Sequence, residues 1–274
     1  MLDRNGKLKH FRSAPLPYVA MVHDFTVTQR YLVFFVSPII PDAVPVALGL
    51  KTLGEALRYR PEQGSSVILV PRDGGKIRQI DTDAALVFHL SNAYDDGTDV
   101  VLDAITYANG ILLERISRFH TSALDDAPSA FTRFRITGSG RVLREALSDS
   151  PCEFPRHHGA YEGLPHRYSY YNTRRHLRSF YDSITKLDLA GCTESTYTTT
   201  AAGNSFCEPV FTPRPGATAE DDGWLLTVEY QARQRTSRLV ILDARDVAAG
   251  PIATAQLTQH LPQGFHGSFA PRNH

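Results

Sequence analysis

The side chains best suited to chemistry in this sequence are its eleven histidines. Imidazole nitrogen is a good ligand for first-row transition metals, although most histidines in proteins are surface or satisfied core residues. Three stand in distinctive contexts. His23 lies in Val22-His-Asp-Phe-Thr-Val-Thr28, just before the apolar run Tyr31 to Val36. His89 closes the run Ala84-Ala-Leu-Val-Phe88 and opens Leu90-Ser-Asn-Ala-Tyr-Asp-Asp-Gly97. His266 sits in Pro262-Gln-Gly-Phe-His-Gly267, flanked by glycines and an aromatic. Each is read at the end of a strand-like segment, where converging imidazoles would hold a metal. The spacings are too wide for a local metal motif, so convergence depends on the fold.

Two carboxylates extend this pattern. A metal-bound imidazole normally gives its other N–H to a carboxylate, which fixes the ring and raises its basicity. Glu153 in Cys152-Glu-Phe-Pro-Arg156 and Glu208 in Cys207-Glu-Pro-Val-Phe211 each begin an apolar, proline-containing segment, an odd place for a free surface charge. A partly exposed turn residue is the competing reading for both. The pair His157-His158 reads as an exposed loop, and His10, His120, His166, His176, His260 and His274 lack a ligand context.

The elements that must position these groups read as strands. Tyr31–Val36, Val67–Val70, Val100–Leu102, Phe131–Ile136, Trp224–Tyr230 and Leu239–Leu242 are rich in β-branched and aromatic residues. Turn signals such as Asp73-Gly-Gly75 and Asp95-Asp-Gly97 separate them. The fold class is all-β, with one short helix expected near Thr52 to Leu57. A strand running into a charged or glycine turn recurs at Val67 to Gly75, Phe134 to Gly140, Ile184 to Gly191 and Val240 to Asp246. The starts lie about 50 to 67 residues apart, the size of a four-stranded propeller blade. A β-sandwich also yields many short strands. About four such units are present, fewer than most propellers need to close a ring.

Composition narrows the partners. The 29 basic and 29 acidic residues balance to zero net charge, which gives no reason to seek nucleic acid. Hydrophobic content of 42% indicates an ordinary folded chain. Cys152, Cys192 and Cys207 form no C-x-x-C pair, which suits a reducing cytosol. The polar N-terminus is no signal peptide, and no apolar run approaches the roughly 20 residues of a membrane-spanning helix. The expected location is cytoplasmic. The apolar segment Ala43 to Leu50 is either a packed loop or a place of peripheral membrane contact.

Taken in order, His23-Asp-Phe, Phe88-His-Leu-Ser-Asn-Ala-Tyr94, Glu153-Phe-Pro-Arg156, Glu208-Pro-Val-Phe-Thr-Pro-Arg-Pro-Gly216, Glu220-Asp-Asp-Gly-Trp224 and Gly264-Phe-His-Gly267 resemble the carotenoid cleavage oxygenases. The resemblance implies a seven-bladed β-propeller with non-haem Fe(II) on its axis, held by four histidines. His23, His89 and His266 match the second, third and fourth ligands. Glu153 resembles the carboxylate partner of the His89 position, and Glu208 that of the His266 position. The implied activity is a dioxygenase that adds O2 across a double bond of an apolar polyene, a carotenoid or apocarotenoid, giving two carbonyl products. The family's first histidine and a further glutamate have no match ahead of His23, His10 included. Residues 1–274 are therefore expected to be the C-terminal portion of a propeller domain, with the N-terminal blades absent. Two alternatives stand beside this reading. One is a non-catalytic truncated remnant that binds apolar ligand or iron weakly. The other is a stilbene-cleaving dioxygenase.

Overall fold

The computed structural model describes residues 5–8, 13–117, 128–176 and 180–270. The first sheet begins with β1 (Thr26–Val27) and β2 (Tyr31–Val36). A small hairpin follows, β3 (Ile39–Pro41) and β4 (Leu57–Tyr59), enclosing helices α1 (Ala43–Ala47) and α2 (Leu53–Ala56). Strands β5 (Ser65–Pro71) and β6 (Arg78–Thr82) complete the first sheet in the order β1-β2-β5-β6. The second is an antiparallel meander of β7 (Leu86–Asp96), β8 (Asp99–Tyr107), β9 (Ser129–Ile136) and β10 (Val142–Ser148). Helix α3 (Ile111–Ser117) follows β8. The third sheet is β11 (Cys152–Arg156), β12 (Tyr168–Thr173), β13 (Ser183–Asp188) and β14 (Thr193–Thr198). In the fourth, β15 (Ser205–Phe206) and β16 (Val210–Pro213) both pair with β17 (Gly223–Gln231), followed by β18 (Thr236–Asp243) and β19 (Pro251–Gln256).

The repeat legible in the sequence has a simple structural meaning. Its four units fall on β5, β9, β13 and β18, the third strand of each sheet. The third strand has a neighbour on both edges and contributes apolar residues to the layers between sheets, among them Leu69, Phe134, Leu187 and Val240.

Alternate side chains of each strand feed opposite faces, and the sheets pack in sequence through three apolar layers. Val33 and Leu69 of the first sheet meet Leu102 and Phe134 of the second. Ile105 and Phe131, on the other face of the second, meet Tyr171 and Leu187 of the third. Tyr170, one residue from Tyr171 and so on the opposite face, packs with Leu225, Val240 and Leu242 of the fourth. The outer face of the first sheet, with Val36, Ile68 and Val70, is covered by Ala14, Tyr18 and Ala20.

The helix expected near Thr52 is α2. Thr52 accepts from the Glu55 N–H while the Glu55 carboxylate accepts from the Thr52 N–H, a reciprocal cap on a single turn. Part of the apolar segment after Pro41 is also helical, as α1. Among the described residues no helix is long and apolar enough to cross a membrane.

Candidate metal centre

The chemistry is carried by two first strands, β7 and β11, and by irregular segments beside the first and fourth sheets. His23 lies three residues ahead of β1, on an exposed approach. His89 is not at a strand end as the sequence suggested. It lies inside β7, where the pairing with β8 shifts register between Val87 and Leu90 and again between Leu90 and Asn92. Such bulges re-aim side chains that strict alternation would point elsewhere. Glu153 lies on β11 and Glu208 between β15 and β16, while His266 follows β19 in an irregular segment.

These elements bring the three histidines together, with one ligating atom from each ring within 4.8 Å of the others. The His89 and His266 Nε2 atoms are 3.2 Å apart, and the His23 and His89 ring centroids 5.1 Å. Glu153 Oε2 lies 2.6 Å from His89 Nδ1, and Glu208 Oε1 3.2 Å from His266 Nδ1. The competing reading of the glutamates as exposed turn residues fails: they are 4% and 5% exposed.

The donor set itself tests whether a metal suits the site. A carboxylate at each Nδ1 makes that nitrogen the N–H, which leaves a lone pair on each Nε2. Two lone pairs facing at 3.2 Å cannot bond to each other. They suit a shared cation, since nitrogens about 2.1 Å from one metal at near right angles are about 3 Å apart. The electrostatics agree. Burial alone would lower the His89 pKa, but the charge and hydrogen bond of Glu153 outweigh it and raise it. His23 is held below its ordinary value by burial and by the His89 and His266 rings, against an upward pull from Asp24. Among the described residues no side chain hydrogen-bonds the His23 ring.

A cavity of about 250 Å³ opens beside the three rings, walled by Phe88, Leu112, Ile116, Phe154, Tyr181 and Phe265 among others. The Tyr107 hydroxyl donates to Glu153 Oε1 at 2.9 Å. Burial first, then the Glu153 charge, hold that phenol well above its ordinary pKa, so it remains a donor. Tyr107 and the α3 residues carried no signal in the sequence, and Arg156, within a quoted motif, had no role assigned. It donates to Glu208 Oε2 at 2.7 Å.

The remaining histidines divide. The His157-His158 pair is not an exposed loop. The His157 side chain is 7% exposed and 3.3 Å from Glu162, and His158 Nδ1 accepts the Ala160 N–H. His166 is buried between Asn92 and Ser169, and His176 pairs with Asp182. His10, His120 and His274 lie outside the described residues.

The chain is 37% identical over 273 residues to the apocarotenoid-15,15'-oxygenase of Synechocystis, covering 98% of this chain and 56% of that protein. It is 31% identical to an isoeugenol monooxygenase of Pseudomonas nitroreducens, covering 99% and 59%. A crystal structure of cobalt-substituted Synechocystis apocarotenoid oxygenase superposes with a TM-score of 0.90 at 35% identity, covering 99% of this chain and 57% of that one. The chain thus spans little more than half the length of these relatives. Residues 1–271 match the model of the retinal pigment epithelial membrane protein family, and the chain belongs to that family, which includes the carotenoid cleavage oxygenases.

Proposed function

We propose that this chain is the C-terminal portion of an Fe(II)-dependent dioxygenase that cleaves a C=C bond of a carotenoid or apocarotenoid. Its four sheets are then about four blades of a seven-bladed β-propeller. The observation that carries the reading is the pair of carboxylate-backed imidazoles beside an apolar cavity. His23, His89 and His266 would hold the iron, while Glu153 and Glu208, each at a ring Nδ1, fix the tautomer and direction of the His89 and His266 rings. Ferrous iron, when bound, supplies the redox capacity toward O2 that no side chain here provides. Phe88, Phe154 and Phe265 exclude water and hold the polyene by its faces. One alkene and one O2 account for both carbonyl products, so no side chain need transfer a proton. The exposed residues Val44, Leu48, Leu50 and Leu53, at 60 to 72% exposure, are placed to touch the membrane that dissolves such a substrate.

A second reading changes the substrate to a phenolic alkene, and the 31% identity to an isoeugenol monooxygenase favours it. A single preparation tests both. Ferrous iron bound per folded chain is measured anaerobically for the wild type and His89→Ala, with turnover of an apocarotenal and of a propenylphenol. Near one iron per chain, lost in the variant, is the expected result. Absence of iron from both sinks the metal assignment for the chain on its own.

A further inference from the structure

We propose that Arg156 is a positioning residue for the His266 imidazole, acting through Glu208; this rests on the metal reading above. Strand β11 carries Glu153 and Arg156, and its pairing with β12 shifts register between them. Phe154, between the two, adopts φ 57°, a left-handed conformation that is strained for an aromatic residue. With this kink, one strand reaches both carboxylates of the centre. Glu153 is its own, and Arg156 Nη2 donates to Glu208 Oε2 at 2.7 Å.

The Glu208 carboxylate is divided between two tasks. Oε1 accepts from His266 Nδ1, while Oε2 accepts from Arg156 and from the Gly267 N–H at 3.0 Å. The same Arg156 Nη2 also donates to the Gly267 carbonyl at 3.2 Å. The guanidinium therefore holds both the carboxylate behind His266 and the backbone just after it. That backbone belongs to no strand, and a glycine follows His266 directly. Upstream it is fixed by Gln263, which donates to the Phe206 carbonyl at 2.9 Å. Downstream, the Arg156–Glu208–Gly267 contacts take that part. The placement is not optimised for the arginine alone, since its Nε is buried with no partner among the described residues.

The charges make the two imidazoles unequal. Glu153 receives neutral donors, the Tyr107 hydroxyl and the Phe154 N–H, and stands 2.6 Å from His89. Glu208 shares its charge with a guanidinium and stands 3.2 Å from His266. A carboxylate already paired with a cation draws less on an imidazole N–H. Arg156 thus fixes the direction of the His266 ring at some cost in donor strength, and its removal is expected to lose more through the freed ring and backbone than it regains through the stronger carboxylate.

Co(II) is the probe, through its dissociation constant and visible spectrum, for the wild type, Arg156→Gln and Arg156→Lys. Amide exchange of Gly267 is followed in the same proteins without metal. The expected result for Arg156→Gln is about tenfold weaker Co(II) binding, altered ligand-field bands and faster Gly267 exchange. Arg156→Lys, which keeps the charge, recovers part of both losses and carries the comparison should the glutamine variant fold poorly. Wild-type affinity and wild-type Gly267 exchange in the variants would overturn the proposal. A wild type that binds no Co(II) counts against the metal reading instead, and Gly267 exchange still decides the role of Arg156.

Discussion

Glu153 stands 2.6 Å from His89 Nδ1, and Glu208 stands 3.2 Å from His266 Nδ1. Replacing either carboxylate by its amide keeps an oxygen to accept the imidazole N–H but removes the charge that makes the ring a stronger donor. Loss of such a partner typically lowers metal affinity about 10–100-fold. Glu153→Gln is expected toward the upper end, because its charge is undiluted and its contact short. Glu208→Gln is expected toward the lower end, because Arg156 already offsets that carboxylate. Anaerobic Fe(II) titration of both variants decides it, and equal losses would remove the asymmetry. At this scale the sequence was informative where a residue type was out of place. A carboxylate opening an apolar, proline-containing segment is odd wherever it occurs, and both proved buried. Tyr107 and Arg156 were not legible in the same way. A tyrosine closing a strand and an arginine after a proline are ordinary, and their partners become near only through the fold.

Strands are where the sequence could be read furthest. The third strand of each sheet runs from apolar residues into a charged or glycine turn, so β5, β9, β13 and β18 showed themselves as a repeat. Helix α3 did not, because seven residues are too few to display a helical period. Nor did the shift that re-aims His89 within β7, which depends on how β8 pairs with it. The contacts between the second and third sheets include a polar junction with its own consequence. Asn92 on β7 accepts the Ala93 and Gly163 N–H groups through Oδ1, which fixes its amide so that Nδ2 faces His166 Nδ1 at 3.2 Å. That Nδ1 is then an acceptor, and Nε2–H donates to Ser169 Oγ on β12, also at 3.2 Å. His166 is neutral by geometry. Burial, then the charges of His157 and Arg133, lower its pKa to about 3. Asp103, 4.0 Å away, is engaged by Arg133 through two 2.8 Å hydrogen bonds. Below its ordinary pKa of 6.5 the unfolded chain binds a proton here that the folded chain refuses. Stability from this group is therefore full above about pH 6.5 and is lost as pH falls toward 3. His166→Gln is expected to be less stable at pH 7, and the gap to wild type should narrow by about 2 kcal/mol between pH 7 and pH 5. Urea unfolding at the two values measures it, and a gap independent of pH would mean that His166 does not stay neutral.

Across the whole molecule, the centre and its apolar cavity share one side with the three helices. α3 supplies Leu112 and Ile116 to the cavity wall, α2 packs against α3, and α1 packs against α2. Val44, Leu48, Leu50 and Leu53 project from α1, α2 and the turn between them, and are 60 to 72% exposed. A water-insoluble polyene reaching the cavity from this side would come directly from a lipid surface. Burying an exposed leucine is worth about 1.5–3 kcal/mol, so a few together can offset much of the cost of orienting the chain on a bilayer. With no net charge on the chain, the proposed contact is expected to be apolar rather than ionic. Pelleting with neutral phosphatidylcholine vesicles should therefore persist at 0.5 M salt, where a basic surface would let go. The double variant Leu48→Glu, Leu50→Glu places two charges where the lipid contact is proposed and should abolish pelleting. Both side chains are solvated in the folded chain, at 67% and 72% exposure, so the unfolding midpoint should stay within about 0.5 kcal/mol of wild type. Equal pelleting of the two proteins would remove these helices from the membrane contact. Release by salt alone would replace the apolar account with an electrostatic one.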